Sequence, residues 1–579
     1  MSAPLEDLVK EWLRLDPNES TRKDVEHLWN DNAVDELERR MRTRIEFGTA
    51  GLRGKMEAGW SRMNDLIVIQ ASQGLCAYVL EHVENAATRG VVVGHDHRHN
   101  SERWAQLTTA AFIANNVKVY LHNGLVHTPM VPFSVKALNA ACGVMITASH
   151  NPKQDNGYKV YWENAVQIIG PHDVGIAQSI MQHLEPRVHD ASQVIESGLC
   201  FDYTEEMKKG YFHSLSNLRA KILSFDGASV AFVNTSMHGV GDPFASRAFE
   251  IAGFLPYTPV KEQQHPDPEF PTVKFPNPEE KAIATANAKG ASYVLAQDPD
   301  ADRFSAAENC DGKWVTFTGD QLGTLFAYHV FETYKASSKP IGKLAMVAST
   351  AMAQVEGFRF VDCLTGFKFI GNTALDLVQA GYEVPFGYEE AIGYMFGSEI
   401  RDKDGVAATM VFAQLAASLR ARGTTVSAHL QELYRRYGYF ETSNSYFVCT
   451  DPLVIDNIFR KIRSSGDMDA PIRPQLAGCR IRSVVDLTEG HGYDSTNAPT
   501  YQPKLPLSLG HMIQFRASSD SDDSRIVLTI RTSGTEPKIK YYLEGSGSNR
   551  QAVHSLLGGV VDDLAEDWMN AAENGLGRP

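Results

Sequence analysis

The chain lacks any apolar run approaching the roughly 18–20 residues that span a bilayer. Its first segment, Met1 to Trp12, is charged and amphipathic and has no signal-peptide core. Neither a membrane protein nor a secreted one is expected. Cysteine is scarce, with seven residues widely spaced, an odd number, and no C-x-x-C pair. This speaks against a disulfide framework and a zinc site, and the expected setting is the reducing cytoplasm. Positive charge is in deficit, 55 Lys and Arg against 70 Asp and Glu, for a formal net charge of −15. Nucleic acid is therefore not an expected partner, because phosphate polymers need clustered basic residues. A basic pocket inside the acidic molecule is untouched by that argument, since net charge does not report local fields. There is also no Walker A loop and no G-x-G-x-x-G after a strand, so P-loop kinases and classical dinucleotide enzymes lose support.

What is present is ordinary globular composition, 43% hydrophobic and 22% charged over 579 residues. The length suits roughly three to four domains. Residues 1–45 show helical spacing, with Leu5, Leu8, Val9 and Trp12 in one stretch and Val34, Leu37 and Met41 in another. From about 65 onward, helical stretches alternate with short strand-like runs at 89–94, 116–121, 143–147, 228–234, 291–296, 343–348 and 358–362. That alternation predicts α/β layers with parallel or mixed sheets. The Pro-rich stretch 265–278 reads as a long surface connection, and segments near 215–227, 336–342 and 440–455 as domain junctions. The last portion predicts strands at 525–531 and 538–543 around a turn, then a helix. Four histidines, His97, His99, His122 and His127, are irregularly spaced and read as surface or core residues rather than metal ligands.

Four loops carry chemistry. Thr147-Ala-Ser-His-Asn-Pro-Lys153 follows an apolar strand, and Asn-Pro keeps helix from starting at once. Ser149 is a weak nucleophile on its own, but His150, Lys153 and Lys159 lie within ten residues of it. Adjacency of Ser and His does not make a triad, which is a matter of geometry. Asp298-Pro-Asp-Ala-Asp-Arg303 also follows a strand. Its alternating carboxylates can turn toward one hard cation, whereas Arg303 and Asn309 stand where an EF-hand needs Gly and Glu. Gly387-Tyr-Glu-Glu-Ala-Ile-Gly393 offers adjacent carboxylates for vicinal sugar hydroxyls, and Arg401 and Lys403 downstream offer cations for a phosphate. Arg531-Thr-Ser-Gly-Thr-Glu-Pro537, followed by Lys538, can form an anion-binding concavity with a planar Arg fork. Each loop taken singly has a bland reading as a solvated polar turn.

Together with Phe47-Gly-Thr-Ala-Gly-Leu-Arg-Gly54, these loops in this order resemble the α-D-phosphohexomutase superfamily, and within it the eukaryotic phosphoglucomutase/phosphopentomutase branch. The likeness runs from about residue 40 to 545. It implies an α/β fold of four domains around a central active-site cleft. The first three domains would share a mixed-sheet topology, and the fourth would be a smaller α+β domain. The implied division is 1–220 with the phosphoserine loop, 221–340 with the metal loop, 341–450 with the sugar loop and 451–579 with the phosphate loop.

The resemblance further implies that Ser149 is the phosphoserine, with Arg53, His150 and Lys159 beside it and Lys159 the better acid/base candidate. It implies Mg²⁺ on Asp298, Asp300 and Asp302, with Ser149 as a further ligand and Arg303 in support. Glu389 and Glu390, Arg401 and Lys403, and Arg531, Ser533, Gly534, Thr535 and Lys538 are the implied substrate binders. The implied cofactors are Mg²⁺ and a catalytic sugar bisphosphate such as glucose 1,6-bisphosphate, and the implied partners are small sugar phosphates. Monomer and dimer are both left open. Ala391 stands where hexose-specific relatives carry serine, which removes a donor and acceptor for a sugar hydroxyl. The expected activity is therefore phosphopentomutase, moving a phosphoryl group between O1 and O5 of ribose or deoxyribose, with phosphoglucomutase activity. A glucose-selective phosphoglucomutase, a glucose-1,6-bisphosphate synthase and a noncatalytic phosphosugar sensor are the competing readings.

Overall fold

In the computed structural model, the described residues are 3–577 except 49–50, 189–196, 220–229, 274–278, 348–349, 362, 365, 450, 465–473, 504, 506, 509 and 534–537. They form two units, 1–427 and 428–579.

The first unit holds three sheets. One has six strands in the order Leu52–Lys55, Asp155–Tyr161, Cys142–Ile146, Val91–His95, Val119–Leu121 and Cys200–Phe201. The middle strands, Val91–His95 and Cys142–Ile146, are buried along their whole length and pair in parallel. Continuous apolar runs of this kind belong to a sheet covered on both faces. The second sheet runs Lys313–Thr316, Phe304–Cys310, Tyr293–Gln297, Phe232–Thr235 and Thr258–Pro259. The third runs Arg359–Phe360, Leu344–Val347, Glu383–Glu389 and Gly393–Phe396.

All three sheets share one switch. A strand with a parallel neighbour ends, the chain turns, and the next strand comes back antiparallel beside it. The pairs are Cys142–Ile146 with Asp155–Tyr161, Tyr293–Gln297 with Phe304–Cys310, and Glu383–Glu389 with Gly393–Phe396. The three connections are the Ser149 loop, the aspartate loop and the Glu389 turn. Ligands of α/β sheets gather outside the carboxyl ends of strands, where the strand order reverses.

The N-terminal helices Leu5–Leu15, Glu19–Asn30 and Val34–Met41 form as the spacing predicts. They pack on the first sheet's core, with Trp12 fully buried and edge-on to Trp60 at 5.0 Å. The strand runs expected from the sequence all contain strands, several trimmed by a few residues. Residues 228–229, 348 and 362 of those runs lie outside the described residues, as do 274–278 of the Pro-rich stretch. That stretch is not wholly a surface connection, because Phe270 and Val273 are buried. The junction expected at 215–227 ends the helix Thr204–Arg219 and otherwise falls outside the described residues.

The second unit carries an eight-stranded sheet led by the antiparallel ladders of Met512–Ser518, Arg525–Thr532 and Lys538–Gly547. It corrects one boundary. Tyr439–Thr442 and Ser445–Val448 both pair with Lys538–Gly547, so this sheet begins before residue 451 and fills the junction expected at 440–455. The two short strands pair with a strand that begins only at Lys538, far downstream, which local composition does not reveal. No described helix is long and apolar enough to cross a membrane.

Candidate active site

Each of the three turns places one non-glycine residue in the left-handed region: Ser149 at φ 53°, Ala301 at φ 53° and Ile392 at φ 55°. This conformation is unfavourable for L-residues and rare for a β-branched one. Strain of this kind persists where surrounding contacts over-determine the loop, and it gathers at functional sites.

Ser149 is buried at the end of its strand, its amide donating to the Thr147 hydroxyl at 2.9 Å. Its Oγ donates to Asp298 Oδ2 at 2.8 Å and accepts from Arg303 Nη1 at 2.7 Å. Ser149, Asp298 and Arg303 thus meet across 149 residues of chain. Ligand oxygens of Asp298, Asp300 and Asp302 lie within 4.8 Å of one another, all buried. Lys159, on the returning strand, reaches Asp300 Oδ2 at 2.7 Å and Asp302 Oδ2 at 3.0 Å. Lys403 reaches Asp302 Oδ2 at 3.1 Å. Arg303 is 3.3 Å from Asp298 Oδ2 and 3.5 Å from Asp302 Oδ1. Three buried carboxylates therefore face three cations.

The carboxylates differ in their readiness to ionise. Burial pushes Asp298 up to about 7, helped by the charges of Asp300 and Asp302. Burial acts the same way on Asp300, but Lys159 overrides it and holds this carboxyl well below the usual range. Asp302 is also lowered, burial being overcome by Lys159 and Lys403. Asp300 Oδ1 and Asp302 Oδ1 are buried and have no hydrogen-bond partner among the described residues. A buried acceptor left unmade is costly. Hard oxygen donors grouped in this way fit a divalent cation such as Mg²⁺.

The Glu389 turn docks on this cluster. Arg303 Nε donates to the Ala391 carbonyl at 3.1 Å, and the Phe304 amide donates to the Ile392 carbonyl at 3.1 Å. Gly393 admits the approach: a Cβ there would stand 2.8 Å from Lys403 Cδ and 3.1 Å from Glu389 Oε1. Glu389 is buried, and burial raises its carboxyl against the pull of Lys403 and Arg303. Arg53 sits on the edge strand paired with Gly157 and donates to Asn151 Oδ1 at 3.4 Å. Its strand can lie this close because Gly51, at φ 74°, has no Cβ to strike the Tyr158 carbonyl.

Of the residues expected at the site, the structure brings together Ser149, His150, Arg53, Lys159, Asp298, Asp300, Asp302, Arg303, Glu389 and Lys403. Arg401 and the aspartate cluster are not brought together by any contact among the described residues. Arg401 Nη1 donates to the Val384 and Gly397 carbonyls at 2.6 and 3.2 Å. Lys153, also expected near the cleft, pairs with Glu269 at 2.6 Å. Glu390 is half-buried on the turn, its carbonyl against Gly319. The sequence reading missed Thr128, whose hydroxyl donates to Asp300 Oδ2 at 2.5 Å, and Arg98, which grips the Ser149 loop. Neither lies in a motif that the spacing marks.

In the second unit, Arg531 Nη2 donates to the Tyr542 hydroxyl at 2.7 Å, and the Ser533 amide donates to the Lys538 carbonyl at 2.9 Å. Lys538 Nζ is 4.1 Å from the centre of the Tyr446 ring. Gly534 and Thr535 lie outside the described residues.

Three family models match consecutive parts of the chain: phosphoglucomutase/phosphomannomutase α/β/α domain I at residues 44–187, domain II at 209–312 and domain III at 318–437. The chain belongs to the phosphoglucomutase/phosphomannomutase family. It is accordingly an enzyme, an isomerase of the mutase kind. A phosphoribomutase of Saccharomyces cerevisiae is 41% identical over 98% of the chain and 97% of the relative. A glucose 1,6-bisphosphate synthase of Homo sapiens is 40% identical over 99% and 95% respectively. Among solved structures, a family protein from Burkholderia thailandensis shares the fold at a TM-score of 0.64 and 17% identity, covering 93% of this chain and 99% of that one.

In this family member, His150 has its Nδ1 3.4 Å from Ser149 Oγ and 3.2 Å from Arg303 Nη1. The Arg303 charge, then burial, holds the imidazole well below its usual 6.5. The side chain keeps solvent exposure, so the guanidinium is the principal cause. A lowered pKa leaves the ring neutral above the usual value and for some way below it. The kcat/KM profile between about pH 6 and about pH 8 should therefore keep its shape in His150→Gln. A limb near 6.5 that is present in the wild type and absent from the variant would contradict this.

Proposed function

We propose that the chain is a phosphosugar mutase working through Ser149, and that ribose and deoxyribose phosphates are its preferred substrates. One observation carries the reading: a buried serine hydroxyl held between Asp298 and Arg303 at the edge of three convergent aspartates. A phosphate on Ser149 would bring about −1.5 to −2 of charge. The three carboxylates are already matched by Lys159, Lys403 and Arg303, so the added charge needs a further cation. Asp298, Asp300 and Asp302, with Ser149, would hold Mg²⁺, which supplies charge neutralisation on the transferring phosphoryl group.

The chain's own residues do the rest. Arg303 donates to the seryl oxygen, and Arg53 stands over the loop that carries it. Lys159 is the candidate for acid/base assistance beside the transferring group, with Glu389 binding neighbouring hydroxyls. Transfer from Ser149 to the sugar gives a bisphosphate. Its reorientation returns the other phosphate to serine, and glucose 1,6-bisphosphate is the candidate priming molecule. Arg531, Ser533, Gly534, Thr535 and Lys538 are the candidate cradle for the phosphate that does not react. Small sugar phosphates are the only proposed partners, and the cytoplasm is the proposed location.

The pentose preference rests on Ala391. Its side chain is exposed on the sugar turn and its carbonyl is taken by Arg303, so the residue offers a hexose no side-chain hydroxyl. The likeness to a glucose 1,6-bisphosphate synthase supports a second reading, in which the same serine passes its phosphate to glucose 1-phosphate from another donor.

Two experiments test these assignments. Incubation with glucose 1,6-bisphosphate and Mg²⁺ should add the mass of one phosphoryl group to the wild type and none to Ser149→Ala, whose turnover should be lost. Full turnover by Ser149→Ala would refute the nucleophile assignment. With the bisphosphate present, kcat/KM for ribose 1-phosphate should exceed that for glucose 1-phosphate by about tenfold or more. A preference for glucose would replace the pentose reading.

A further inference from the structure

Residues 147–154 connect two strands and contain Asn151 and Pro152, with Ser149 held in the left-handed region. Something outside the loop must hold that shape. Arg98 makes three hydrogen bonds to it and a fourth to the first residue of the returning strand: Nη2 to the carbonyls of Ser149 at 2.6 Å and Asn151 at 2.7 Å, and Nη1 to those of Pro152 at 2.9 Å and Asp155 at 3.0 Å. Its four terminal N–H groups can thus all be used on the loop and the start of that strand. The guanidinium is fixed from behind. Asp96 Oδ2 lies 3.4 Å from Nε, with both side chains fully buried, and Asp96 Oδ1 accepts from the Arg98 amide at 2.9 Å and from Ser101 Oγ at 2.6 Å. The Phe270 ring covers the guanidinium at 5.1 Å.

Arg98 follows the strand Val91–His95, whose end pairs with the end of the strand leading to Ser149, His95 opposite Ile146. Parallel pairing therefore delivers the arginine to the side of the nucleophile loop.

We propose that Arg98 is a positioning residue for phosphoryl transfer, its planar fork fixing the backbone of residues 149–155 so that Ser149 Oγ faces Asp298 and Arg303. The proposal rests on the reading of Ser149 as nucleophile. Lysine cannot replace arginine here, because an ammonium is a point charge on a flexible stem and does not span four carbonyls. Arg98 touches only backbone of the loop, so its loss should slow transfer while leaving sugar binding largely intact.

The test uses full-length wild type, Arg98→Met and Arg98→Lys, with folding checked by circular dichroism. Ser149 phosphorylation by glucose 1,6-bisphosphate is followed by quenched-flow intact mass, and kcat and KM are measured for ribose 1-phosphate. Arg98→Met should lose about 100-fold in phosphorylation rate and in kcat, with KM within about threefold of wild type. Arg98→Lys should fall between the two, at about tenfold. If Arg98→Met does not fold, the lysine variant decides. A phosphorylation rate within about twofold of wild type in a folded variant overturns the proposal, and so does a loss confined to KM. A wild type that takes up no phosphoryl group removes the nucleophile reading and this one with it. Phosphorylated wild type with unimpaired variants removes Arg98 alone.

Discussion

Three buried carboxylates, Asp298, Asp300 and Asp302, stand against Lys159, Lys403 and Arg303, and the first unit's three sheets meet at that balance. Charges taken out of water are costly unless paired with good geometry. Each cation here comes from a different element: Lys159 from the strand after the Ser149 loop, Arg303 from the end of the aspartate loop, and Lys403 from the segment after the Glu389 turn. Removing one leaves an uncompensated buried charge, so the cluster constrains where each of the three turns can lie. Arg303 makes the constraint tightest, touching Ser149 Oγ, Asp298 and the Ala391 carbonyl with one guanidinium.

The fold prepares this meeting by repetition. In each sheet the chain passes from parallel to antiparallel pairing at one connection, and at each connection one residue takes a left-handed backbone. A tight reversal of this kind exposes side chains at the end of a strand without a long flexible loop. Strained backbone at Ser149 and Ile392 is then held by contacts from elsewhere, Arg98 for the first and the Phe304 amide for the second. Local strain and distant support together fix the positions of the hydroxyl and the sugar turn.

The parts of this that were legible in the sequence are those marked by residue type and spacing within one short loop. Asp298, Asp300 and Asp302 follow an apolar strand at alternating spacing, and Ser149 follows another, so both loops could be named from residue type and context. Lys159 could be named for its nearness to Ser149, although its partners are more than 140 residues away. Thr128 and Arg98 left no such trace. Their contacts span 172 and 51 residues, and a threonine before a proline or an arginine after a strand has many ordinary uses. Arg401 could be named as a cation beside an acidic loop, while its bonds to the carbonyls of Val384 and Gly397 come from packing that the sequence does not display. The last sheet's early strands were missed because a ladder partner, not composition, makes them strands.

The aspartate loop is proposed to hold a divalent cation beside Ser149. Asp300 Oδ1 and Asp302 Oδ1, neither with a hydrogen-bond partner among the described residues, are the sharpest sign of that site. Anomalous diffraction from crystals of the full chain grown with Mn²⁺ tests it most directly. A single strong peak is expected, bounded by Asp298, Asp300 and Asp302, with those two oxygens among the ligands. A triad that stays bonded to Lys159 and Lys403 with no peak between its carboxylates, or a peak only elsewhere, would contradict it.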